Sequence, residues 1–510
     1  MDRKQTDESK ADSHCTVAII GGGFTGATLA ARLLQKAGGT ISILLIERNA
    51  RPGRGVAYST PCAEHLLNVR AKNMSAHADD PEHLLRWARR NYDPGVTPDD
   101  YLPRTVYGQY VASLLQQEIE RHPGQLEHVQ DEAVAVTRFG DTAEIRLRSG
   151  RALFADKVVI ALGNFPPGDP RLPGRTPHSL RYVSNPWTPN LSTLNLGKST
   201  SLNPCVPGDA APDKDILLVG SGLTSVDVAI TLREQGFRGI IHILSRRGLL
   251  PQTHKATAPW PAFLEHDDPS PRNIRALLRL IRTQIKSAEK AGVGWQAVID
   301  SIRPFTQEIW QSLSLKERRR FIRFLRPYWD VHRHRIAPAI GARISSQIED
   351  GQIKIHAGRI KAYAEDFDGV DVSYRDRESG QLETLRVDQV INCTGPESDC
   401  RRVDDPFLRN LMRQKLARPD SLFLGLDVSS DGALIDAQGT ASNLLYAIGP
   451  VRKGSLWETI AVPELREQIL DLSKVLLNAR KAERNNFEKY GLNSRQELTV
   501  MVLTSDATSS

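Results

Sequence analysis

Two short glycine runs carry most of the chemistry legible in this chain. Gly21-Gly22-Gly23-Phe24-Thr25-Gly26 follows the apolar stretch Val17-Ala18-Ile19-Ile20, and Gly220-Ser221-Gly222-Leu223-Thr224-Ser225 follows Ile216-Leu217-Leu218-Val219. Each run has the pattern of a strand, a tight turn and a helix. In such a unit the first glycine makes the turn, the second lets the backbone approach a pyrophosphate, and the helix N-terminus offers it unpaired N–H groups. Counting 26 residues from the first glycine of each run reaches the end of the next apolar strand: Glu47 after Ile43-Leu44-Leu45-Ile46, and Arg246 after Ile241-His242-Ile243-Leu244. That strand end meets the ribose. A carboxylate accepts hydrogen bonds from a free 2′-hydroxyl, so the first unit suits FAD. Arg246 and Arg247, preceded by Ser245, suit a 2′-phosphate through forked, charge-assisted contacts, so the second unit suits NADPH better than NADH. The second run ends in Ser225 where Gly or Ala is usual. One such run is a weak signal, whereas two with the same strand context and spacing are a strong one.

The elements around the runs repeat as well. After the first, the alternating segments Val134-Ala135-Val136-Thr137 and Ala143-Glu144-Ile145-Arg146-Leu147 precede the apolar strand Val158-Val159-Ile160, which ends at Ala161-Leu162-Gly163. After the second, Ile353-Lys354-Ile355, Val370-Asp371-Val372 and Leu385-Arg386-Val387 precede Val390-Ile391-Asn392-Cys393-Thr394-Gly395. The chain thus duplicates a domain plan of Rossmann strand, antiparallel excursion and a strand ending in a glycine turn. The expected fold class is α/β, with two Rossmann-like dinucleotide-binding domains and a helical insertion.

The expected boundaries are a tail over 1–14, the first part of an FAD-binding domain over 15–184 and a linker rich in Pro, Ser, Asn and Gly over 185–215. An NAD(P)H-binding domain over 216–396 follows, then a return segment of the FAD domain over 397–480 and a C-terminal tail over 481–510. Within the second domain, about 271–335 has helical spacing: Ile274, Leu277, Leu278, Leu280 and Ile281 form one apolar stripe, and Phe321, Ile322, Phe324 and Leu325 another. It is expected to cap that domain. The return segment supplies the strand Leu444-Leu445-Tyr446-Ala447-Ile448, a turn at Gly449 and a helix with Pro463 near its start.

Composition narrows the function classes. At 510 residues the chain is long enough for two domains with a large core, and 40% hydrophobic with 25% charged residues is ordinary for a globular protein. No apolar run approaches the roughly 18 residues that cross a bilayer, and the polar first fifteen residues lack a signal-peptide core. A cytoplasmic protein without a membrane partner is expected. The five cysteines, Cys15, Cys62, Cys205, Cys393 and Cys400, have neither zinc spacing nor the close pair of a disulfide reductase. The net charge of +7 is concentrated between Arg272 and Arg343 without a nucleic-acid motif, which suits a solvated helix face or a basic wall beside an anionic cofactor. Nucleic acid is not an expected partner, and no metal site is expected.

With these residues in view, the strand ends Ala161-Leu162-Gly163, Cys393-Thr394-Gly395 and Tyr446-Ala447-Ile448-Gly449 resemble the two-dinucleotide-binding flavoproteins. More narrowly, the chain resembles the bacterial FAD/NAD(P)-binding family typified by the YdhS protein. That likeness is carried by Gly53-Arg54-Gly55-Val56-Ala57-Tyr58-Ser59-Thr60, His65-Leu66-Leu67-Asn68-Val69, Pro103-Arg104 with Tyr107-Gly108-Gln109-Tyr110, and Leu456-Trp457-Glu458-Thr459. The resemblance spans about Cys15 to Leu470 and implies kinship with FMO-like and N-hydroxylating flavoprotein monooxygenases. It matches Gly21, Gly23, Phe24, Thr25 and Gly26 to the FAD pyrophosphate turn, Glu47 to the ribose-binding acid, and Asn68, Val69, Met74 and Ser75 to the stretch along the flavin. Gly163, Gly395 and Gly449 match the strand-end turns, and Gly220, Gly222, Thr224, Ser225, Ser245, Arg246 and Arg247 match the NADPH positions. The chain departs from many relatives in carrying Gly449-Pro450 where they carry Gly-Asp. That change removes a carboxylate contact to the ribityl or phosphate region.

No catalytic base is identified, as expected where the flavin performs the redox step and the protein supplies position and water exclusion. Two segments could add chemistry. Tyr328-Trp329-Asp330-Val331-His332-Arg333-His334-Arg335 could bind a carboxylate or the cofactor phosphates, or simply end a helix. Trp457-Glu458-Thr459 could reach the ring, or form an ordinary first helical turn. Three functions follow from these readings. The first is an NADPH-using flavoprotein monooxygenase that oxygenates nitrogen or sulfur of a small molecule. The others are an FAD-dependent dehydrogenase or oxidase and a non-catalytic flavin-binding redox sensor.

Overall fold

The computed structural model describes residues 15–176, 179–187, 214–265 and 273–490. The expected N-terminal tail, most of the expected linker, Cys205 and residues 491–510 lie outside them. Two sheets organise the rest. The first has six strands in the order Ala433–Ile435, Ala441–Ala447, Lys157–Ile160, Cys15–Ile20, Ile41–Ile46 and Leu126–Val129, all parallel except the first. Val17, Ile19, Ile43, Leu45, Val158 and Ile160 are at most 1% exposed, because helices cover one face and the antiparallel excursion of residues 133–155, with the helix Pro406–Arg413, covers the other, and the strands therefore read as continuous apolar runs. From Cys15–Ile20 the chain steps outward through Ile41–Ile46 and then crosses to the other side at Lys157–Ile160. The sheet's switch point therefore lies between Cys15–Ile20 and Lys157–Ile160, the position at which such sheets bind ligands.

The second sheet repeats the scheme. Ile353–Glu365, Ile241–Ser245, Ile216–Val219, Gln389–Asn392 and Tyr182–Val183 lie side by side in parallel, with the switch between Ile216–Val219 and Gln389–Asn392. One difference separates the two units. The first excursion, Ala133–Phe139, Thr142–Leu147 and Ala152–Ala155, forms its own three-stranded sheet. In the second, the long strand Ile353–Glu365 serves both parts: Ile353 to Ala357 pairs in parallel with Ile241–Ser245, and Gly358 onward pairs antiparallel with Val370–Asp376.

Helices fill 274–349 from Ile274–Lys290 to Pro338–Glu349. One stripe residue departs from expectation, since Phe321–Leu325 is a turn of π-helix. Its wider turn keeps Phe321, Ile322 and Leu325 against the apolar cluster but turns Phe324 out, 54% exposed beneath the Arg323 guanidinium. The final helix, Val462–Tyr490, also runs past the break expected at 480.

The two sheets are joined through an ion pair. Arg104 begins the helix Arg104–Arg121 and meets Asp227 of Leu223–Glu234 in a fork of 2.7 and 3.0 Å, both side chains about one-seventh exposed. Arg104 Nε also donates to Leu66 O, while the His65 ring bridges Asp227 O and Thr231 Oγ1. Losing one member strands the other charge in a largely dry contact, at a cost of about 3–5 kcal/mol. Asp227→Ala is accordingly expected to lower unfolding stability by about 3 kcal/mol, measured in urea. A loss under about 1 kcal/mol, the range of a surface pair, would mean the fork does not join the sheets.

Candidate functional site

The two switch points place the sequence motifs at matching edges. In the first sheet Ile20 is level with Ile46 and Ile160, and Ala447 is level with Ile160. Gly21, Glu47, the Ala161-to-Gly163 turn and Gly449 therefore leave the sheet along one crevice. Gly21 has φ +102, and a Cβ there would stand 2.4 Å from Ala161 O. The helix Phe24–Ala37 starts at Gly23 with no side chain capping its first turn, so its leading N–H groups face outward. Glu47, 9% exposed, is locked in place: Oε2 accepts from Gly22 N–H at 2.8 Å, and Oε1 accepts from the backbone and side chain of Asn49 at 2.9 and 2.6 Å. Phe24 does not face the crevice, because it packs edge-on against Tyr58 and beside Tyr107.

Gly449, with φ +86, sits where a Cβ would lie 3.6 Å from Thr25 Oγ1. This puts the last glycine turn against the first helix, some 420 residues away in the chain. Its N–H donates to Gln468 Oε1 at 3.0 Å, leaving Gln468 Nε2 buried without a partner. Thr28 Oγ1 and Thr459 Oγ1 are likewise buried and unpartnered. Polar atoms left in this state cost stability unless something binds them. A dinucleotide rich in hydroxyls and phosphate fits these atoms and the uncapped turn, and the Gln468 amide offers a donor near the Gly449-Pro450 turn. Gly163, at φ +70, has open space at its Cβ position.

The stretch expected along the flavin is a rigid ledge. Asn68 O accepts from His254 Nε2 at 3.0 Å, and burial pulls that imidazole down to about 4, so it donates as the neutral ring. Val69 packs on the first core, and Met74 is buried in it with its carbonyl taken by Tyr107 Oη–H at 2.9 Å. Ser75 is fully buried and donates to Asp80 O at 2.6 Å. The Met74 and Ser75 side chains are thus occupied by the protein, and these two residues can offer a ligand only backbone.

The second crevice carries the opposite charge. Gly220 has φ +113, and a Cβ there would stand 2.4 Å from Cys393 O, whereas Gly222 has open space. Ser225 is accommodated in the Gly26 position because its hydroxyl folds back onto Gly222 O at 2.7 Å. Ser221 Oγ donates to Leu249 O at 2.6 Å, and Ser245 Oγ, hydrogen-bonded to Ser221 Oγ at 2.8 Å, accepts from Gly248 N–H, pinning the loop that presents Arg246 and Arg247. Thr224 is half-buried in the first helical turn, and Gly395 at φ +83 has open space. Desolvation pushes Arg246 below its usual range, and repulsion from Arg247, Arg359 and Arg326 adds to it. Among the described residues none of Arg246, Arg247 and Arg359 forms an ion pair, and Arg247 Nε is buried without a partner above the Tyr328 ring. Such a cluster fits a phosphate. Arg359 could not be singled out in the sequence, since only the register of Ala357 beside Ser245 brings it to this edge.

The helical insertion packs over the segment following Gly449. Trp310 donates to Gly454 O at 2.9 Å and stacks with Trp457 at 4.7 Å, Phe321 meets the same indole at 4.9 Å, and Trp329 donates to Glu458 Oε1 at 3.2 Å. The 328–335 cluster is mostly absorbed by packing. Arg333 pairs with Glu464 and Glu458, Arg335 pairs with Asp300, and His332 lies edge-on to Trp295. Burial raises the thiols of Cys62, Cys393 and Cys400, and none of the described cysteines is in a disulfide. Among the described residues no group of three His, Cys, Asp or Glu could hold a metal ion, and no helix is long and apolar enough to cross a membrane.

Residues 18–165 match the family model for FAD-NAD(P)-binding domains. The nitrosuccinic acid synthase of Aspergillus oryzae is 26% identical over 219 residues, 37% of this chain, and the chain spans 33% of that relative's length. Among solved structures, L-lysine 6-monooxygenase from Pseudomonas syringae superposes with a TM-score of 0.62 at 16% identity, over 91% of this chain and 100% of that one. The ornithine hydroxylase of Pseudomonas aeruginosa does so with a TM-score of 0.59 at 14% identity, over 91% and 99%. The chain has the fold of two-dinucleotide-binding flavoproteins.

Proposed function

We propose that this protein is an FAD-containing, NADPH-dependent monooxygenase that oxygenates an amine nitrogen of a small molecule in the cytoplasm. The observation that carries the reading is the pair of like-built crevices with opposite charge, Glu47 at one and unpaired Arg246, Arg247 and Arg359 at the other. The relatives named above point to nitrogen, and the raised, unpaired thiols speak against disulfide exchange. In this scheme the N–H groups at Gly23, Phe24 and Thr25 hold the FAD pyrophosphate, Glu47 accepts from its ribose, and Gln468 and Thr28 donate near the Gly449 turn. Arg246, Arg247 and Arg359 hold the NADPH 2′-phosphate. The bound flavin supplies hydride acceptance and, once reduced, oxygen activation. The protein's own part is to keep that site dry, through the Trp310, Phe321, Trp329 and Trp457 aromatic wall.

Anaerobic titration followed by flavin absorbance tests the first half of the reading. NADPH is expected to bleach the flavin well ahead of NADH. Readmitting oxygen with an amine substrate should then consume oxygen and release an N-oxygenated product with little peroxide. Yellow protein bleached by neither nucleotide, or oxygen returned wholly as peroxide with every amine tried, would refute it.

A further inference from the structure

Lys453 is a cation that no carboxylate touches among the described residues, Asp330 and Glu458 acting on it only from a distance. It is half-buried four residues after Gly449, with no ion pair or hydrogen bond to its ammonium among the described residues, and Nζ lies 5.0 Å from the centre of the Trp457 ring. The Arg326 guanidinium faces the same ring at 5.9 Å, its only ion pair among the described residues being a 3.3 Å contact to Asp330 on an open flank. Burial, then repulsion from Arg326, pulls the Lys453 amine down to about 8 against the weaker attraction of Asp330 and Glu458. An indole face attracts cations but does not discharge them, and the two like charges share the nearby Asp330 and Glu458 carboxylates, of which Asp330 touches Arg326 and neither touches Lys453.

The backbone here is unusual too. Trp457 has φ +60, a left-handed conformation that an L side chain adopts at a cost and that clusters at functional sites. It is kept there by Trp310, by Phe321 and by its own N–H bonded to Lys453 O at 2.9 Å. The next residue, Glu458, is 4% exposed, and its Oε2 has no hydrogen bond, only the Arg333 guanidinium at 3.7 Å. Cations and a carboxylate oxygen with hydrogen-bond capacity left, around one fixed indole, match the two ends of an amino acid.

We infer that Lys453, assisted by Arg326, binds a carboxylate of the amine substrate, so that the substrates are amino acids and not simple amines. The word substrate rests on the monooxygenase reading, while the carboxylate site stands on its own geometry. The rival occupant is a phosphate of the nicotinamide cofactor, because Arg326 is also felt by Arg246.

The test is to label the FAD-loaded protein with an amine-reactive acylating reagent and follow Lys453 by peptide mass spectrometry. Labelling is compared with L-ornithine, L-lysine, L-aspartate or L-glutamate added singly, with putrescine and cadaverine, and with NADP⁺. At least one amino acid is expected to slow acylation about fivefold at concentrations several times its Kd, and neither diamine should. Lys453→Met keeps the stem over Trp457, and it should raise KM for the protecting amino acid about tenfold or more while KM for NADPH stays within about twofold. Full protection by NADP⁺ alone, protection by no amino acid, or parallel rises in both KM values would overturn the assignment. Protection without any oxygenated product would keep the carboxylate site and refute the monooxygenase reading. An oxygenated amine without protection would do the reverse.

Discussion

Gly26→Ala is expected to yield a protein that purifies colourless. A Cβ at position 26 would lie 1.9 Å from Gly21 O and 3.2 Å from Ile19 Cγ2. Neither neighbour can yield, since Ile19 is fully buried and the Gly21 turn is wedged against Ala161 with its N–H held by Ile46 O at 2.9 Å. The helix must back away from the strand and open the crevice. Overpacking of this kind costs about 1–3 kcal/mol, and backbone against backbone belongs at the upper end. Gly23→Ala supplies the contrast. Its Cβ would meet nothing nearer than 3.5 Å, at φ −68, so the fold should hold within about 1 kcal/mol. The methyl would instead stand at the helix mouth, where the pyrophosphate must approach. Flavin absorbance per protein and thermal unfolding separate the cases: Gly26→Ala should lose both flavin and stability, and Gly23→Ala should lose flavin alone. Full flavin occupancy in both variants would remove the first glycine run from the cofactor site.

Replacing Arg246 and Arg247 together by alanine is expected to raise KM for NADPH about 10²- to 10³-fold while changing KM for NADH only a few-fold. Two charge-assisted contacts at about 1.5–3 kcal/mol each set the upper range, and exposure of the loop reduces it to about 3–4 kcal/mol. Arg359 remains in the variant and keeps some phosphate affinity, so Arg359→Ala added to the pair should deepen the loss. The NADPH preference should also shrink as salt rises, because the guanidinium groups are only partly shielded from solvent. Steady-state KM values for both nucleotides, taken at two ionic strengths, decide the matter. Equal losses for NADPH and NADH would mean that these arginines hold the loop and do not read the 2′-phosphate.

The two glycine runs, their strands and the Glu47/Arg246 contrast were legible because each is a local pattern, a few residues of fixed period followed by a fixed count. The helical insertion was legible for the same reason, except at Phe324, where a π-turn shifts the stripe by less than any periodicity can reveal. Met74 and Ser75 could be matched to the stretch along the flavin, but the inward direction of their side chains depends on Tyr107 and Asp80. Pro103-Arg104 and His65 stood out as a family signature, and their task of joining the sheets through Asp227 and Thr231 was invisible without the fold.

By itself, then, the sequence determined two Rossmann units, which end of each strand carries the turn, and the sign of the charge beside each turn, since these follow from short-range sterics and spacing. The tertiary structure alone decided what converges on those turns. Gly449 lies against Thr25, Arg359 beside Ser245, Gln468 at the last turn, and Lys453 with Arg326 on one indole. Such meetings depend on strand register and helix packing between segments tens to hundreds of residues apart, and no local pattern encodes the partner of a distant residue.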